Sequence, residues 1–185
     1  MSEVQALNPG QDEAVRMVVT AACVEMLQAC GLLVESSEGR PSIAFDEHEI
    51  VRFIGFTGRV SGSLIVATSS KIVTSTFSPS GGSTRPSPAD LLDRAGELAN
   101  QTLGRIKRKF CDRGVDFETS TPTAVNGHRL DWPSPARNGV FIVVLAVGGE
   151  SVSFRFEVIP PPGGEIFRSP VEPIACAEEG DLLLF

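Results

Sequence analysis

Residues 88–113 read PADLLDRAGELANQTLGRIKRKFCDR, and this segment determines most of what the sequence predicts about architecture. A helix N-terminus is indicated by the capping hydroxyl of Ser87, by a proline in the first turn and by Asp90 three residues after the serine. Gly114 is a typical stop. Apolar side chains recur at spacings of three and four, as on a helix that lies against a core. They are Leu92, Ala95, Ala99, Leu103, Ile106 and Phe110.

The other face of this helix carries polar side chains. With about 100° of rotation per residue, Glu97 and Asn100 both fall outside the apolar stripe. Being three apart, they project side by side. Asp93 and Gly104 continue the same row, and Gly96 lies near its edge. A glycine inside a helix costs roughly 1 kcal/mol relative to alanine, and helices keep such residues where something approaches the backbone. The outer face is therefore predicted to be a docking surface.

Spacing alone leaves a second interpretation of this row open. An exposed Glu-x-x-Asn pair is also what the polar surface of any helix can carry. The basic residues near the C-terminal end are interpreted as a solvated run that complements the helix dipole. They are Arg105, Lys107, Arg108 and Lys109.

The remainder of the chain predicts one more long helix and several strands. Residues 11–30 are apolar on nearly every face, are too long for a strand and end at Gly31, which indicates a buried helix. Residues 70–77 are rich in β-branched side chains and are expected to be irregular. The alternation within 152–159 predicts a strand with one buried and one largely solvated face. The predicted strands are 50–58, 61–69, 115–120, 140–147 and 152–159.

Length and composition indicate one globular domain. The chain has 185 residues, of which 42% are hydrophobic and 21% charged. A domain is predicted over residues 1–160, followed by a proline-rich and acidic tail over 161–185 that is either docked or mobile. The net charge of −7 opposes binding to nucleic acid or anionic lipid. No apolar run is long enough for a membrane span and the N-terminus has no signal features, so we expect a cytoplasmic protein.

The four cysteines form no Cys-x-x-Cys pair, and only two histidines accompany them. We therefore predict no metal site and interpret the cysteines as reduced thiols. Cys23 and Cys30 are seven residues apart, which is the spacing of one buried helix face. A structural role is expected for both.

The segment GELANQTLGRIK (96–107) follows a hairpin that contains SGSLIVAT and precedes STPTAVNG (120–127). Together these segments resemble the CheX branch of the CheC, CheX and FliY family of chemotaxis phosphatases. The resemblance covers roughly residues 10–160. It implies an α/β (α+β) fold, a CheC/CheX-like layered arrangement in which a mixed sheet packs against two long helices. The family's Glu-x-x-Asn motif, with its two flanking glycines, falls on Gly96, Glu97, Asn100 and Gly104.

The resemblance implies a function in two-component signalling. Members of the family are hydrolases that remove the phosphoryl group from the aspartyl phosphate of CheY-like response regulators. Asn100 would then orient the attacking water, and Glu97 would contact the lysine beside the regulator's phosphoryl group. Further contacts with the partner are expected from the neighbouring residues of the row, which are Asp93, Gly96, Gln101 and Gly104.

The resemblance also implies what accompanies the reaction. No intrinsic cofactor is expected, and the required Mg²⁺ would sit in the response regulator. The partner would be a phosphorylated CheY-like receiver domain. A homodimer formed through an exposed sheet edge is expected, because relatives of the CheX type pair in this way and unpaired strands invite partners.

Alternatives to the phosphatase remain open at this point. One is a non-catalytic interaction module that keeps the fold and binds a regulator without hydrolysis, and another is a structural role of the flagellar-switch type. Glu25 and Gln28 could be a second copy of the motif on the first helix, but we interpret them as structural because that helix is apolar nearly all round. A nucleophilic hydrolase is disfavoured by the lack of a Gly-x-Ser-x-Gly motif and of any triad context for the histidines.

Overall fold

The computed structural model describes residues 7, 9–35, 50–77, 86–125, 139–161 and 163–167. Within these ranges the chain forms three helices and six strands. The helices are α1 (Pro9–Ala29), α2 (Ser70–Ser75) and α3 (Pro88–Cys111). The strands are β1 (Ile50–Gly58), β2 (Ser61–Thr68), β3 (Phe117–Thr119), β4 (Thr123–Val125), β5 (Val140–Val147) and β6 (Glu150–Ile159).

The strands form one sheet in the order β3-β1-β2-β6-β5, and β4 also pairs with β1. The strands β3 and β4 lie one after the other along the same edge of β1, opposite Phe56–Gly58 and Val51–Phe53. All these pairings are antiparallel. The predicted α+β class is therefore confirmed, while the expected mixed sheet is antiparallel throughout the described residues, because its strands are joined by hairpin turns and by connections that reverse direction.

Both long helices pack on the same face of the sheet, side by side. Between them and the strands lies the main core, in which aromatic rings stack at the C-terminal half of α3. The rings of Phe56 and Phe156 are 5.2 Å apart, and Phe110 meets Phe156 edge-on at 5.9 Å. Each large side chain buried here stabilises the fold by roughly 1.5–3 kcal/mol. This burial is what holds α3 against the sheet.

Two polar positions on the second face of β6 are buried, which corrects the prediction of a largely solvated face for this strand. Ser153 and Glu157 are both buried, and Arg155 forms an ion pair with Glu157 on this face. Residues two apart on a strand share a face, so the pair can form within β6. A small apolar cluster lies on the same side of the neighbouring strands β1 and β2; it contains Val51, Ile65 and Ala67, with Phe53 packed against it.

The N-terminus of α3 has the predicted capping box. The Ser87 hydroxyl accepts a hydrogen bond from the Asp90 amide at 3.2 Å, and the Asp90 carboxylate accepts one from the Ser87 amide at 2.8 Å. Hydrogen bonds from the Ser87 hydroxyl and amide lower the pKa of Asp90. Gly114 follows the helix with φ of 73°, as a stop residue should.

Two local predictions were wrong. Residues 70–77, expected to be irregular, include the helix α2, which Ser69 caps through its side chain. Burial of Ile72 and Val73 against the core outweighs the poor helix propensity of β-branched residues. The strand β4 was not predicted, because its three residues stand in a proline-containing segment and gain their pairing only from β1.

The cysteines differ in state. Cys23 and Cys30 are free, and complete burial raises the pKa of the Cys23 thiol. Cys111, at the end of α3, is disulfide-bonded, so the prediction of a reduced thiol was wrong for this residue. The spacing of cysteines along the chain carries no information about such tertiary proximity. Cys176 lies outside the described residues.

The beginning of the segment assigned to the tail packs against the core. Ile166 and Phe167 are buried, and the Phe167 ring is 4.9 Å from that of Phe110. The backbone of Phe167 exchanges two hydrogen bonds of 2.8 Å with the side-chain amide of Gln11 on α1. Docking thus extends at least to Phe167, whereas residues 168–185 lie outside the described part of the chain and their separation from the domain stays a prediction.

Removal of the capping hydroxyl should destabilise the protein. We expect Ser87→Ala to lower the free energy of unfolding by about 1 kcal/mol, and Ser87→Asn, which keeps an acceptor, to cost much less. Urea denaturation measures both. Because the pKa of Asp90 is lowered in the folded state, its contribution is present above the unfolded pKa of about 3.9 and is lost as pH falls through the lower folded value. Equal stability of Ser87→Ala and wild type at neutral pH would contradict the capping assignment.

Candidate functional site

The candidate site lies on the outer face of α3. Glu97, Asn100 and Asp93 are exposed, as the helical period predicts. The intervening positions face the core, including Ala95, Leu98 and Ala99. A carboxylate and a carboxamide therefore lie together on the solvent side of a helix whose other side is buried.

The carboxylate of Glu97 is held by a neighbour on the same helix. The side-chain nitrogen Nε2 of Gln101 donates a hydrogen bond to Glu97 Oε1 at 2.8 Å. Within the described residues, the Asn100 carboxamide makes no side-chain hydrogen bond, so its donor and acceptor can be offered to another molecule. Gln101, predicted as a partner contact, is thereby placed where it orients Glu97.

The two glycines of the motif occupy different environments. Gly104 is half-buried, but Gly96 is buried. A Cβ at Gly96 would lie 3.9 Å from Arg52 Nε and 3.9 Å from Pro122 Cβ. Gly96 thus faces β1 and the connection between β3 and β4, whereas the sequence predicted a place near the edge of the outer face. Residues four apart on a helix lie on similar faces, so periodicity alone could not show that Arg52 and Pro122 would cover Gly96.

Two of the basic residues near the end of α3 form ion pairs with other elements. Lys109 pairs with Glu25 of α1 at 2.8 Å, and Lys107 pairs with Asp116 at 3.4 Å. Glu25, considered as part of a second motif copy, thus bridges the two helices, and Gln28 is exposed on α1. These pairs tie elements together at the edge of the candidate site.

Sequence reasoning missed Arg52. This residue lies in β1 on the side that faces the helices, is only 7% exposed, and donates a hydrogen bond from Nη2 to the backbone carbonyl of Leu92 in α3. Burial lowers the pKa of its guanidinium, while the carboxylate of Asp93 acts in the opposite direction. The available signal was a single arginine within the otherwise uncharged strand IVRFIGFTG.

No cluster of three or more His, Cys, Asp or Glu side chains could hold a metal ion within the described ranges. Among the helices described, none is long and apolar enough to cross a membrane.

The sheet, the two helices on one face and the exposed carboxylate and amide place the chain among proteins with the CheX/CheC-like fold. The chemotaxis protein CheX from Vibrio vulnificus superposes with a TM-score of 0.64 at 16% identity, over 78% of this chain and 95% of that one. CheX in a CheX–CheY–BeF3–Mg²⁺ complex from Borrelia burgdorferi gives 0.58 at 15% identity, over 77% and 96%. These likenesses establish the fold.

Sequence comparison establishes the family. A family model described as chemotaxis phosphatase CheX matches residues 50–145, more than half of the chain, and the chain belongs to this family. The chain is also 32% identical over 102 residues to the CheY-P phosphatase CheX of Thermotoga maritima. That match covers 52% of this chain and 66% of the relative, so the chain spans about two thirds of the length of that relative.

The placement of Gly96 generates a prediction about stability. Because a Cβ there would make only ordinary van der Waals contacts, Gly96→Ala should raise the free energy of unfolding by about 0.5–1 kcal/mol through better helix propensity. The matched control is Gly114→Ala, which forces alanine into a φ of 73° and should be destabilising. Chemical denaturation compares the two. A loss of stability in Gly96→Ala as large as that in Gly114→Ala would contradict the packing described for Gly96.

Proposed function

We propose that this protein is an aspartyl-phosphate phosphatase that dephosphorylates a CheY-like response regulator. Its membership of the CheX family supports this proposal, as does its 32% identity to a protein named CheY-P phosphatase CheX. A CheX from Borrelia burgdorferi has been captured together with CheY, BeF3 and Mg²⁺. The single observation that carries the proposal for this chain is the exposure of Asn100 beside Glu97 on the outer face of α3.

Hydrolysis of an acyl phosphate requires little covalent chemistry from the enzyme. An acyl phosphate already has a good leaving group, so the enzyme has mainly to place a water molecule in line with the phosphorus. In the proposed mechanism α3 docks on the regulator, and the Asn100 carboxamide accepts a hydrogen bond from this water and orients it. Because an amide does not titrate near neutral pH, Asn100 contributes no pKa of its own to the rate.

Glu97 serves as the docking contact in this mechanism. Its carboxylate meets the lysine beside the regulator's phosphoryl group in a charge-assisted hydrogen bond. Gln101 supports this role, because its hydrogen bond to Glu97 Oε1 restricts the carboxylate and leaves Oε2 for the partner. A restrained carboxylate loses less conformational entropy when it binds than a free one does.

The metal ion of the reaction is assigned to the regulator. The outer face of α3 presents Asp93 and Glu97, but the family chemistry places Mg²⁺ beside the phosphoryl group of the substrate. This chain would approach that charge only through a neutral amide and one carboxylate. A location in the cytoplasm, where phosphorylated receivers occur, stays a prediction.

We also propose that two copies of the chain associate through β5, which is an edge strand of the sheet formed by the described residues. This strand, VFIVVLAV, contains no charged or proline residue that would protect an exposed edge. Part of the free edge of β5 is already paired, because the Glu35 amide donates a hydrogen bond of 3.0 Å to the Ala146 carbonyl. Pairing would therefore involve the half of β5 that begins at Val140.

The rival proposal is a non-catalytic module that binds a regulator without hydrolysis. The exposed Asn100 favours the phosphatase, because a pure binding surface does not require an amide that is free to orient water. The experiment below separates the two functions.

Substitution of Asn100 should remove the water-orienting group and leave docking in place. We expect Asn100→Ala to lower the rate of dephosphorylation of a phosphorylated receiver domain by at least about tenfold, with little change in affinity. The measurement follows loss of the phosphoryl group from a panel of receivers. Arg108→Ala, an exposed substitution on the same helix, is the control and should behave as wild type. Equal rates for Asn100→Ala and wild type on a true substrate would refute the mechanism, and an inactive wild type that still binds receivers would favour the rival.

A further inference from the structure

Arg52 is unusual because a charged side chain occupies the core-facing side of a strand. It lies between Ile50 and Ile54 on the same face of β1, and both isoleucines belong to the main core. Arg52 itself is only 7% exposed. Desolvation lowers its pKa, and its Nε atom has no hydrogen-bond partner within the described residues. A buried guanidinium that is incompletely paired destabilises a fold. Such residues are expected where function, and not stability, requires them.

The contacts of Arg52 lead to the turn of α3 that precedes the motif. Its Nη2 donates to the Leu92 carbonyl, and its Nε lies 3.9 Å from the position of a Cβ at Gly96. In an α-helix the carbonyl oxygen of residue 92 also accepts a hydrogen bond from the amide of residue 96. Arg52 therefore binds the second lone pair of an oxygen that already takes part in the helix's own hydrogen bonding. Arg52 thus binds the backbone of α3 at Leu92, five residues before Glu97.

This half of α3 has few other anchors. Its buried positions are mostly small, and before Leu103 the only large apolar side chain of α3 that is buried is Leu98. The C-terminal half, in contrast, is anchored by Ile106 and Phe110. Small side chains restrict the rotation of a helix about its axis less than large ones that interdigitate. The turn carrying the motif therefore depends on polar tethers.

Two such tethers reach this turn from opposite sides. Arg52 extends up from the sheet to the Leu92 carbonyl, while Arg94 extends from α3 to α2, donating to the Thr76 hydroxyl at 3.0 Å and to the Thr76 carbonyl at 3.2 Å. The Arg94 contact reaches α3 through a side chain of that helix. Of these two tethers, only Arg52 binds the main chain of α3 itself.

We propose that Arg52 is a positioning residue that fixes the rotation and height of the α3 turn bearing Glu97 and Asn100. It touches neither substrate nor the reacting atoms, and acts through the Leu92 carbonyl. The inference rests on the proposed phosphatase function. A displacement of about 1 Å at the reacting centre can cost roughly 100-fold in rate, so a small rotation of this turn would be sufficient.

The test compares Arg52→Met, which keeps a stem of similar length and removes every donor, with Arg52→Lys, which keeps the charge on a shorter, single donor. We expect kcat for dephosphorylation of a receiver domain to fall at least about tenfold in Arg52→Met with KM changed by less than about threefold, and Arg52→Lys to recover part of the loss. Val143→Ala, in the buried core of the distant strand β5, controls for lost stability and should leave kcat unchanged.

Two kinetic results would overturn the proposal. One is wild-type kcat in Arg52→Met, and the other is an equal fall in kcat for Arg52→Met and Val143→Ala, which would indicate a purely structural role. If Arg52→Met does not fold, Arg52→Gln replaces it and the same comparison applies.

A second measurement keeps the inference distinct from the proposed function. Amide hydrogen exchange followed by NMR should show exchange in residues 93–100 faster by at least about tenfold in Arg52→Met, with residues 103–110 little changed, because only the tethered half is released. This result is expected even if the wild-type protein hydrolyses no receiver tested. Uniform acceleration along α3, as in Val143→Ala, would contradict the tether.

Discussion

The orientation of α3 about its own axis determines which of its side chains are buried and which are available to form the candidate site. The buried stripe of α3, which ends in Phe110, must face the sheet, and this requirement directs Glu97 and Asn100 toward solvent. A turn of the helix by one residue, about 100°, would bring Asn100 to the core and turn Leu98 toward solvent. Burial of large side chains, each stabilising by roughly 1.5–3 kcal/mol, therefore maintains both the fold and the candidate site.

The features that were predictable from the sequence are those that local rules govern. Helical periodicity placed Glu97 and Asn100 outside the core, and the sequence of Ser87 and Asp90 indicated the capping box. The features that were missed depend on contacts between segments that are distant in the sequence. Arg52 donates a hydrogen bond to Leu92, which is 40 residues away in the sequence, and no pattern within β1 indicates that contact.

The errors have the same physical origin. Gly96 was predicted near the edge of the outer face, yet Arg52 and Pro122 pack against it and bury it. Polar residues of β6 were expected to face solvent, but Arg155 compensates the buried charge of Glu157. In each case a tertiary neighbour outweighed the local pattern.

Charge is distributed unevenly on α3, and this suits the role of its N-terminal half. The lysines of the C-terminal half pair with Glu25 and Asp116, while the carboxylates of Asp93 and Glu97 remain exposed. The motif therefore presents complementary charge to a partner with a basic group in its active site. We propose that this region enters the regulator's phosphorylated pocket, and the structure of a complex with a receiver activated by beryllofluoride and Mg²⁺ would test this mode of docking. We expect the Asn100 carboxamide within about 4 Å of the beryllofluoride, close enough to orient an intervening water that lies about 3 Å from the amide. A receiver docked elsewhere, with Asn100 still facing solvent, would contradict the account.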